Sequence, residues 1–275
     1  MQDTEMRPAG SFSNLVVSPK RVCCDTWPSV LIMNISSAIF DCSAPDLDSC
    51  PDESLPEFAF IGRSNVGKSS LLNFLAGRRG LARVSPTPGF TKLINFFTMS
   101  KTWRLVDLPG YGFAKVARKD SSKFNHAVLE YLQERPNLHC VFALVDSGLP
   151  PQKMDMEFVE WLADNAIPFV LVFTKTDKVK PAQMQANIEA FKESIFEWCE
   201  TLPEILTCSA TAQLGRAALL SVIDEALATE QANGPIEPGG PVEEMEASPE
   251  VLPAIGKGMS IQATNKQRPN STRPW

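Results

Sequence analysis

The chain has 275 residues, of which 44% are apolar and 21% charged, and its formal net charge is −6. The apolar content is enough for a sizeable core, which excludes a wholly disordered chain, and the acidic balance gives no overall attraction to nucleic acid. Only two histidines occur, and the seven cysteines include no C-x-x-C pair. We therefore expect neither a catalytic triad nor a His-rich metal site, and we expect reduced thiols. Because no apolar run reaches the roughly 18 residues of a membrane span, we expect a soluble protein without membrane contact. Reduced thiols indicate a cytoplasmic location, and we expect a monomer.

The two ends of the chain differ from its middle. Residues 1–33 have no clear helical or strand period and lack a signal peptide, so we expect a poorly structured extension. Met33 as the true start of translation is a second hypothesis for this end. Residues 230–275 are rich in Pro and Gly, which is typical of a disordered tail. A single domain is expected over residues 34–229.

Within that domain, buried strands alternate with amphipathic helices. The predicted strands are residues 57–61, 94–99, 103–106, 139–145, 169–173 and 204–208, and the predicted helices are residues 68–76, 121–134, 154–164, 181–198 and 213–229. Residues 94–99 and 103–106 are close enough to form a hairpin. This order predicts an α/β fold, with a mostly parallel sheet covered by helices on both faces and ligands at the carboxyl ends of its strands.

The segment after the first of these strands matches the pattern G-x-x-x-x-G-K-[ST]. Its glycines allow backbone N–H groups to curl around a polyphosphate at the amino terminus of a helix. In this mechanism the lysine contacts the β- and γ-phosphates, and the following hydroxyl binds Mg²⁺. We therefore predict a phosphate-binding loop formed by Gly62, Arg63, Ser64, Asn65, Val66, Gly67, Lys68 and Ser69.

A second phosphate-side motif, D-x-x-G, closes the strand at 103–106. Its acid can hold the Mg²⁺ shell through water, and its glycine N–H can reach the γ-phosphate. The motif is weak alone because it recurs in turns, and it gains weight from the phosphate-binding loop before it. The predicted residues are Asp107, Leu108, Pro109 and Gly110.

Two segments after later strands are predicted to bind the base. The Asp177 carboxylate only accepts hydrogen bonds, so it suits the N1–H and N2–H₂ donors of guanine and leaves adenine unpaired. The stem of Lys175 can lie along the base. Backbone N–H groups of the second segment can reach guanine O6. These base-binding segments are Thr174, Lys175, Thr176 and Asp177, and then Cys208, Ser209 and Ala210.

With these motifs in order, residues 34–229 resemble the EngB family of translation-factor-class GTPases. The resemblance rests on the phosphate-binding loop, on the segment Thr87 to Thr91, on Asn95-Phe96-Phe97 and above all on the string from Val106 to Ala114. It implies a three-layer P-loop NTPase domain with a six-stranded sheet, Mg²⁺-dependent GTP binding, and roles in large-ribosomal-subunit assembly, cell division and septation. It also implies that Thr91 completes the Mg²⁺ shell and that a loop joins the GTP site through Gly89, Phe90, Thr91, Lys92 and Leu93.

The residue after Gly110 is Tyr111, where many GTPases carry a glutamine that orients the attacking water. We therefore expect slow hydrolysis that depends on Lys68, Thr91, Gly110 and Mg²⁺. Asn65 offers a second route, because relatives with Asn here can bind K⁺ beside the phosphates. The alternative is that Asn65 only supports the loop.

Residues 78–123, called the basic run below, hold ten basic residues against two acids. Ribosomal RNA of the large subunit is one expected partner of the basic run, and a merely solvated surface is the alternative. Three functions remain open from the sequence. They are a GTP-hydrolysing assembly switch, a GTP-binding scaffold or RNA-binding module without turnover, and an ATP-using kinase.

Overall fold

The computed structural model describes residues 33–82, 93–111, 118–199 and 201–233, with the backbone alone for residues 118–125 and 230–233. The strands are β1 (Ala38–Ala44), β2 (Glu57–Gly62), β3 (Ile94–Met99), β4 (Trp103–Asp107), β5 (Leu138–Asp146), β6 (Phe169–Thr174) and β7 (Ile205–Thr207). The helices are α1 (Lys68–Leu75), α2 (Arg118–Glu134), α3 (Lys153–Asp164), α4 (Pro181–Phe196) and α5 (Arg216–Asn233). None of the helices in these ranges is long and apolar enough to cross a membrane.

The described strands form one sheet in the order β1-β3-β4-β2-β5-β6-β7. Strands β4, β2, β5, β6 and β7 run parallel, and β3 pairs antiparallel with both β4 and β1. The predicted hairpin between β3 and β4 is confirmed. The predicted count of six strands is wrong, because β1 adds a seventh at the edge. Most side chains of β1 are exposed, so it lacks the continuous apolar run that marks the buried parallel strands.

Helices cover both faces of the sheet, as predicted for a three-layer domain. Because successive side chains of a strand point to opposite faces, Phe58 and Phe60 pack in a core with α1 and α5. Ala59 and Ile61 of the same strand pack in a second core with α2, α3 and α4. All six residues of β2 are buried, which is typical of a central strand.

The parallel strands end together along one side of the sheet, which we call the carboxyl edge. Strands β2, β4, β5 and β6 end there at Gly62, Asp107, Asp146 and Thr174. The phosphate-binding loop follows β2, the D-x-x-G segment follows β4 and the first base-binding segment follows β6, and the second base-binding segment follows the neighbouring β7. Parallel α/β sheets bind their ligands at this edge, so the topology brings the predicted motifs together.

The opposite side, the amino edge, holds a cluster of buried charges. Glu57 is fully buried and accepts hydrogen bonds from the Arg135 guanidinium at 2.8 and 3.0 Å and from the Tyr131 hydroxyl at 2.9 Å. Arg104 lies within 3.6 Å of Glu57 and also pairs with Asp52 at 2.9 Å. Arg104 was counted in the basic run, but it is buried among acids and offers no charge to an RNA partner.

Candidate functional site

The phosphate-binding loop connects β2 to α1 and contains two residues in the left-handed backbone conformation. Asn65 and Gly67 have φ values of 67° and 106°, in the left-handed region that Gly and Asn tolerate best. The amino terminus of α1 has no side-chain cap. Its first N–H groups are therefore available to an anion, and the helix dipole favours negative charge there.

Gly62 lets this loop begin close to the neighbouring strand. A Cβ atom at Gly62 would lie 2.7 Å from the Leu144 carbonyl oxygen of β5. That distance is too short for any residue other than glycine. The loop also packs on β6, where the buried Thr174 hydroxyl donates to the Val66 carbonyl oxygen at 2.6 Å. The middle of the loop and one base-binding segment thus share a direct contact.

Lys68 and Asp107 meet at the centre of the site. The Lys68 ammonium donates to the Asp107 carboxylate, and both residues are more than nine-tenths buried. The two predicted phosphate-side motifs are therefore joined by a buried ion pair. Loss of either partner would leave the other charge buried and uncompensated, which is destabilising.

The oxygen donors beside this ion pair fit a magnesium ion. The Ser69 hydroxyl lies in the first turn of α1, and the Asp107 carboxylate lies at the end of β4. Among the described residues no group of three or more His, Cys, Asp or Glu residues could hold a metal. Mg²⁺ in nucleotide sites takes one or two protein oxygens together with phosphates and waters, and the donors here suit that arrangement.

The D-x-x-G segment lies directly on the phosphate-binding loop. The Leu108 N–H donates to the Phe60 carbonyl oxygen at 3.1 Å, and the Ser64 N–H donates to the Tyr111 carbonyl oxygen at 3.3 Å. A Cβ atom at Gly110 would lie 2.8 Å from the Gly62 carbonyl oxygen. Only glycine therefore allows this approach. Leu108 is buried and Pro109 half-buried between these contacts.

The two base-binding segments are joined by hydrogen bonds after β6 and β7. The Ser209 hydroxyl donates to the Asp177 carboxylate at 2.6 Å, and the Thr176 hydroxyl donates to the Cys208 carbonyl oxygen at 3.2 Å. Burial raises the pKa of the Cys208 thiol to about 12, so this thiol stays neutral at physiological pH. Ala210, the third residue of the second segment, is half-buried.

Lys175 links the base-binding segment to the phosphate-binding loop. Its backbone is left-handed, and its ammonium pairs with Asp146 at the end of β5 at 2.7 Å. Its aliphatic stem passes the loop so closely that a Cβ atom at Gly67 would lie 3.7 Å from Lys175 Cε. The role of Asp146 in holding this lysine was not predicted from the sequence.

The predicted loop of residues 89–93 lies mostly outside the described residues. Gly89, Phe90, Thr91 and Lys92 are among those that the structure does not describe, and Leu93 is half-buried just before β3. The proposed contacts of this segment therefore stay predictions.

The structure also reveals a buried group that sequence reasoning missed. Asp155, in the first turn of α3, is fully buried and accepts hydrogen bonds at 3.0 Å from Arg63 Nε and from the Tyr111 hydroxyl. Burial raises the pKa of the Asp155 carboxyl, and its two donors oppose that rise. A signal was present, because Asp155 precedes the buried Phe158, Val159 and Leu162 at the spacing of one helical face.

Tyr111 is held in the interior by the same group. Its ring packs on Phe158 with centroids 4.8 Å apart, and burial next to the Asp155 carboxylate raises its pKa well above the usual range. A neutral, buried phenol bound to Asp155 cannot perform the water-orienting role of glutamine.

Comparison with known proteins agrees with this site. The family described as 50S ribosome-binding GTPase matches residues 57–175. The probable GTP-binding protein EngB of Christiangramia forsetii is 46% identical over 192 residues, which cover 70% of this chain and 97% of that protein. The corresponding protein of Porphyromonas gingivalis is 45% identical and covered to 96%. A crystal structure of a probable GTP-binding protein EngB is 24% identical with a TM-score of 0.49, covering 63% of this chain and 99% of that one.

The three-layer fold and its phosphate-binding loop define a P-loop GTPase. Within this class, the chain belongs to the EngB family of GTP-binding proteins, because it is 46% identical to the Christiangramia forsetii protein over almost the whole length of that protein. The resemblance inferred from the motifs is thereby confirmed. Membership of a GTP-binding family also argues against the ATP-using kinase.

Proposed function

We propose that this protein is a slowly hydrolysing GTP switch that acts in the assembly of the large ribosomal subunit in the cytoplasm. The observation that supports it most directly is that four predicted motifs meet at the carboxyl edge. The Lys68–Asp107 and Asp177–Ser209 contacts join them in pairs, and the Thr174–Val66 contact links the two pairs. Roles in cell division and septation stay predictions from the family resemblance, and the monomeric state stays a separate prediction.

In this proposal the phosphate-binding loop holds the GTP phosphates through its N–H groups, and Lys68 exchanges its contact with Asp107 for phosphate oxygens. Ser69, Thr91 and Asp107 are the residues that would hold Mg²⁺ beside the phosphates. When bound, Mg²⁺ neutralises charge that develops on the phosphates. The Gly110 N–H contacts the γ-phosphate.

Guanine selectivity is assigned to Asp177. A carboxylate that accepts from the Ser209 hydroxyl on one oxygen keeps its other oxygen for the N1–H and N2–H₂ donors of guanine. Adenine offers an acceptor at N1, so its binding leaves a desolvated carboxylate unpaired.

Hydrolysis is expected to be slow because the side chain after Gly110 is buried against Asp155. Lys68 and backbone N–H groups would then stabilise the transition state electrostatically, together with the Mg²⁺ ion when it is bound. A GTP-binding scaffold without turnover is the second candidate, and the buried Tyr111 is the observation that favours it.

The basic run is proposed to contact the ribosomal partner. Arg104 is not included in this contact surface, because it is buried. Of its described members, Arg78, Arg79 and Lys101 are exposed. The hairpin turn that carries Lys101 lies at the amino edge, and Arg78 donates to the Ala38 carbonyl oxygen at the same edge. The family description as ribosome-binding and these exposed charges support contact with ribosomal RNA.

The decisive experiment is co-sedimentation with large ribosomal subunits at two salt concentrations, with the protein loaded with GDP or with a non-hydrolysable GTP analogue. We expect stronger association in the analogue-bound state, weakening as salt rises, and phosphate release from GTP in parallel assays. Lys68→Ala should abolish GTP binding. Lys101→Ala should weaken sedimentation, whereas Lys153→Ala, at an exposed lysine outside the basic run, should not.

The alternatives predict different results. A scaffold would bind GTP and subunits without releasing phosphate. Sedimentation that is insensitive to both nucleotide and salt would contradict the switch and its RNA contact. Equal competition by ATP and GTP would contradict the role of Asp177.

A further inference from the structure

Asp155 connects the two segments that surround the phosphates, although it belongs to neither. It lies on α3, and its side chain is fully excluded from solvent. Both of its oxygens lie 3.0 Å from Arg63 Nε, and Oδ1 also accepts from the Tyr111 hydroxyl at 3.0 Å. Arg63 is the second residue of the phosphate-binding loop, and Tyr111 follows Gly110.

The backbones of these two segments are already adjacent. Strands β2 and β4 pair up to Phe60 and Asp107, and the pairing resumes as an isolated parallel bridge between Arg63 and Tyr111. Gly110 lies between these two points of pairing, against the Gly62 carbonyl oxygen. The Asp155 carboxylate thus binds the side chains of both bridge residues, Arg63 and Tyr111.

We infer that Asp155 is a positioning residue that fixes Gly110 against the phosphate-binding loop and so sets the preference for GTP over GDP. The inference rests on the proposed contact between the Gly110 N–H and the γ-phosphate. The loop from Gly62 to Ser69 serves the phosphates that GDP and GTP share, whereas Gly110 serves only the third. Loosening Gly110 therefore weakens GTP binding and leaves GDP binding unchanged.

A buried carboxylate suits this task. Arg63 provides a charged donor of fixed planar geometry, and Tyr111 provides a neutral donor on a rigid ring that packs on Phe158. With water excluded, loss of either donor leaves the carboxylate only partly satisfied, so the arrangement has one preferred geometry.

Two variants of the full chain test the inference. Tyr111→Phe removes only the donor hydroxyl and retains the ring on Phe158, whereas Asp155→Asn removes the charge that Arg63 contacts. We expect each to lower the ratio of GTP-analogue affinity to GDP affinity by about three- to tenfold, the effect of one hydrogen bond. In Tyr111→Phe, which leaves the Arg63 contact in place, GDP affinity should stay within about twofold of that of the unaltered protein, since the shared phosphate contacts persist.

Asp164→Asn is the matched control, because it makes the same change at an exposed carboxylate at the far end of α3. An unchanged ratio in Tyr111→Phe and Asp155→Asn would reduce Asp155 to a structural role and overturn the inference. A raised ratio would overturn it too, because the contact would then hold Gly110 away from the phosphate. If Asp155→Asn fails to fold, Tyr111→Phe decides alone. If the unaltered protein binds no GTP, the proposed function fails instead.

Discussion

Two different properties of asparagine can explain the presence of Asn65 in the phosphate-binding loop. Its φ of 67° lies in the left-handed region, where Asn is tolerated better than most residues. Its side chain is exposed, so its amide oxygen is also free to contact a cation beside the phosphates. Backbone conformation and K⁺ binding therefore explain the same residue, and only a variant that separates them can distinguish the two hypotheses.

Asn65→Gly makes that separation. Glycine adopts the same φ without strain and lacks the amide, so the loop should keep its shape and lose the cation contact. We expect GTP turnover and GTP-analogue affinity of the unaltered protein to be higher in K⁺ than in Na⁺, and we expect this difference to disappear in Asn65→Gly. Equal behaviour of the unaltered protein in the two salts would leave Asn65 with a supporting role only.

At the scale of single residues, the sequence predicted the motifs but not the contacts made by every side chain. Lys68, Asp107 and Asp177 lie together at the carboxyl edge as expected. Arg63 lies in the predicted loop, yet its guanidinium extends to Asp155 on α3. That contact joins residues 92 positions apart. Spacing within a motif cannot reveal such a partner, because the fold decides which helix face covers the loop.

At the scale of the elements, the turn into α5 is constrained by both backbone conformation and packing. The last helix was predicted to begin at residue 213 but begins at Arg216, because Gly215 has a φ of 85° that a helix cannot contain. A Cβ atom at Gly215 would overlap the Thr207 carbonyl oxygen and would lie 2.8 Å from Cys208 Cβ. The adjacent Ser209 N–H and carbonyl both pair with Leu214, so this turn sets the position of the base-binding segment.

Gly215→Ala should therefore be destabilising. We expect a loss of about 2–4 kcal/mol in the free energy of unfolding, from backbone strain together with the overlap, and weaker GTP binding through displacement of Ser209. Denaturant titration and nucleotide binding measure the two effects. Gly80→Ala is the control, because Gly80 also has a positive φ but its Cβ would meet no atom of the described residues within 4 Å. Equal losses in the two variants would contradict a role for the close contact.

Element prediction succeeded where burial leaves a continuous apolar signal. The buried strands β2, β4, β5 and β6 were predicted to within one residue at most ends, since strands covered on both faces are apolar throughout. The same rule explains the omission of β1. Its exposed positions include Asp41 and Ser43, which hydrogen-bond to Thr98 and Asn95 of β3. Pairing of this kind depends on a neighbour that is distant in the sequence.

At the scale of the whole molecule, the two edges of the sheet have different tasks. The carboxyl edge carries the nucleotide motifs, and the amino edge carries the buried charges around Glu57. Glu57 is the acid shared by Arg104, Arg135 and Tyr131. Because burial excludes water from it, removal of its charge leaves two guanidinium groups without their common partner.

Glu57→Gln should consequently lower the free energy of unfolding by about 3–5 kcal/mol while leaving GTP affinity unchanged in the protein that remains folded. Glu53→Gln is a close control, because Glu53 pairs with the same Arg135 at 3.5 Å but is largely exposed. An exposed pair of this kind contributes about 0–1 kcal/mol. Similar unfolding free energies for the two variants would contradict the importance of the buried cluster.

The contact between Lys68 and Asp107 has a consequence for nucleotide turnover. A buried ammonium that loses its phosphate counter-ions would be stranded in a medium of low polarity, and that penalty would slow departure of the product. Here the Asp107 carboxylate can pair with the Lys68 ammonium as soon as GDP leaves. We therefore expect spontaneous replacement of GDP by fresh GTP, without a dedicated exchange protein.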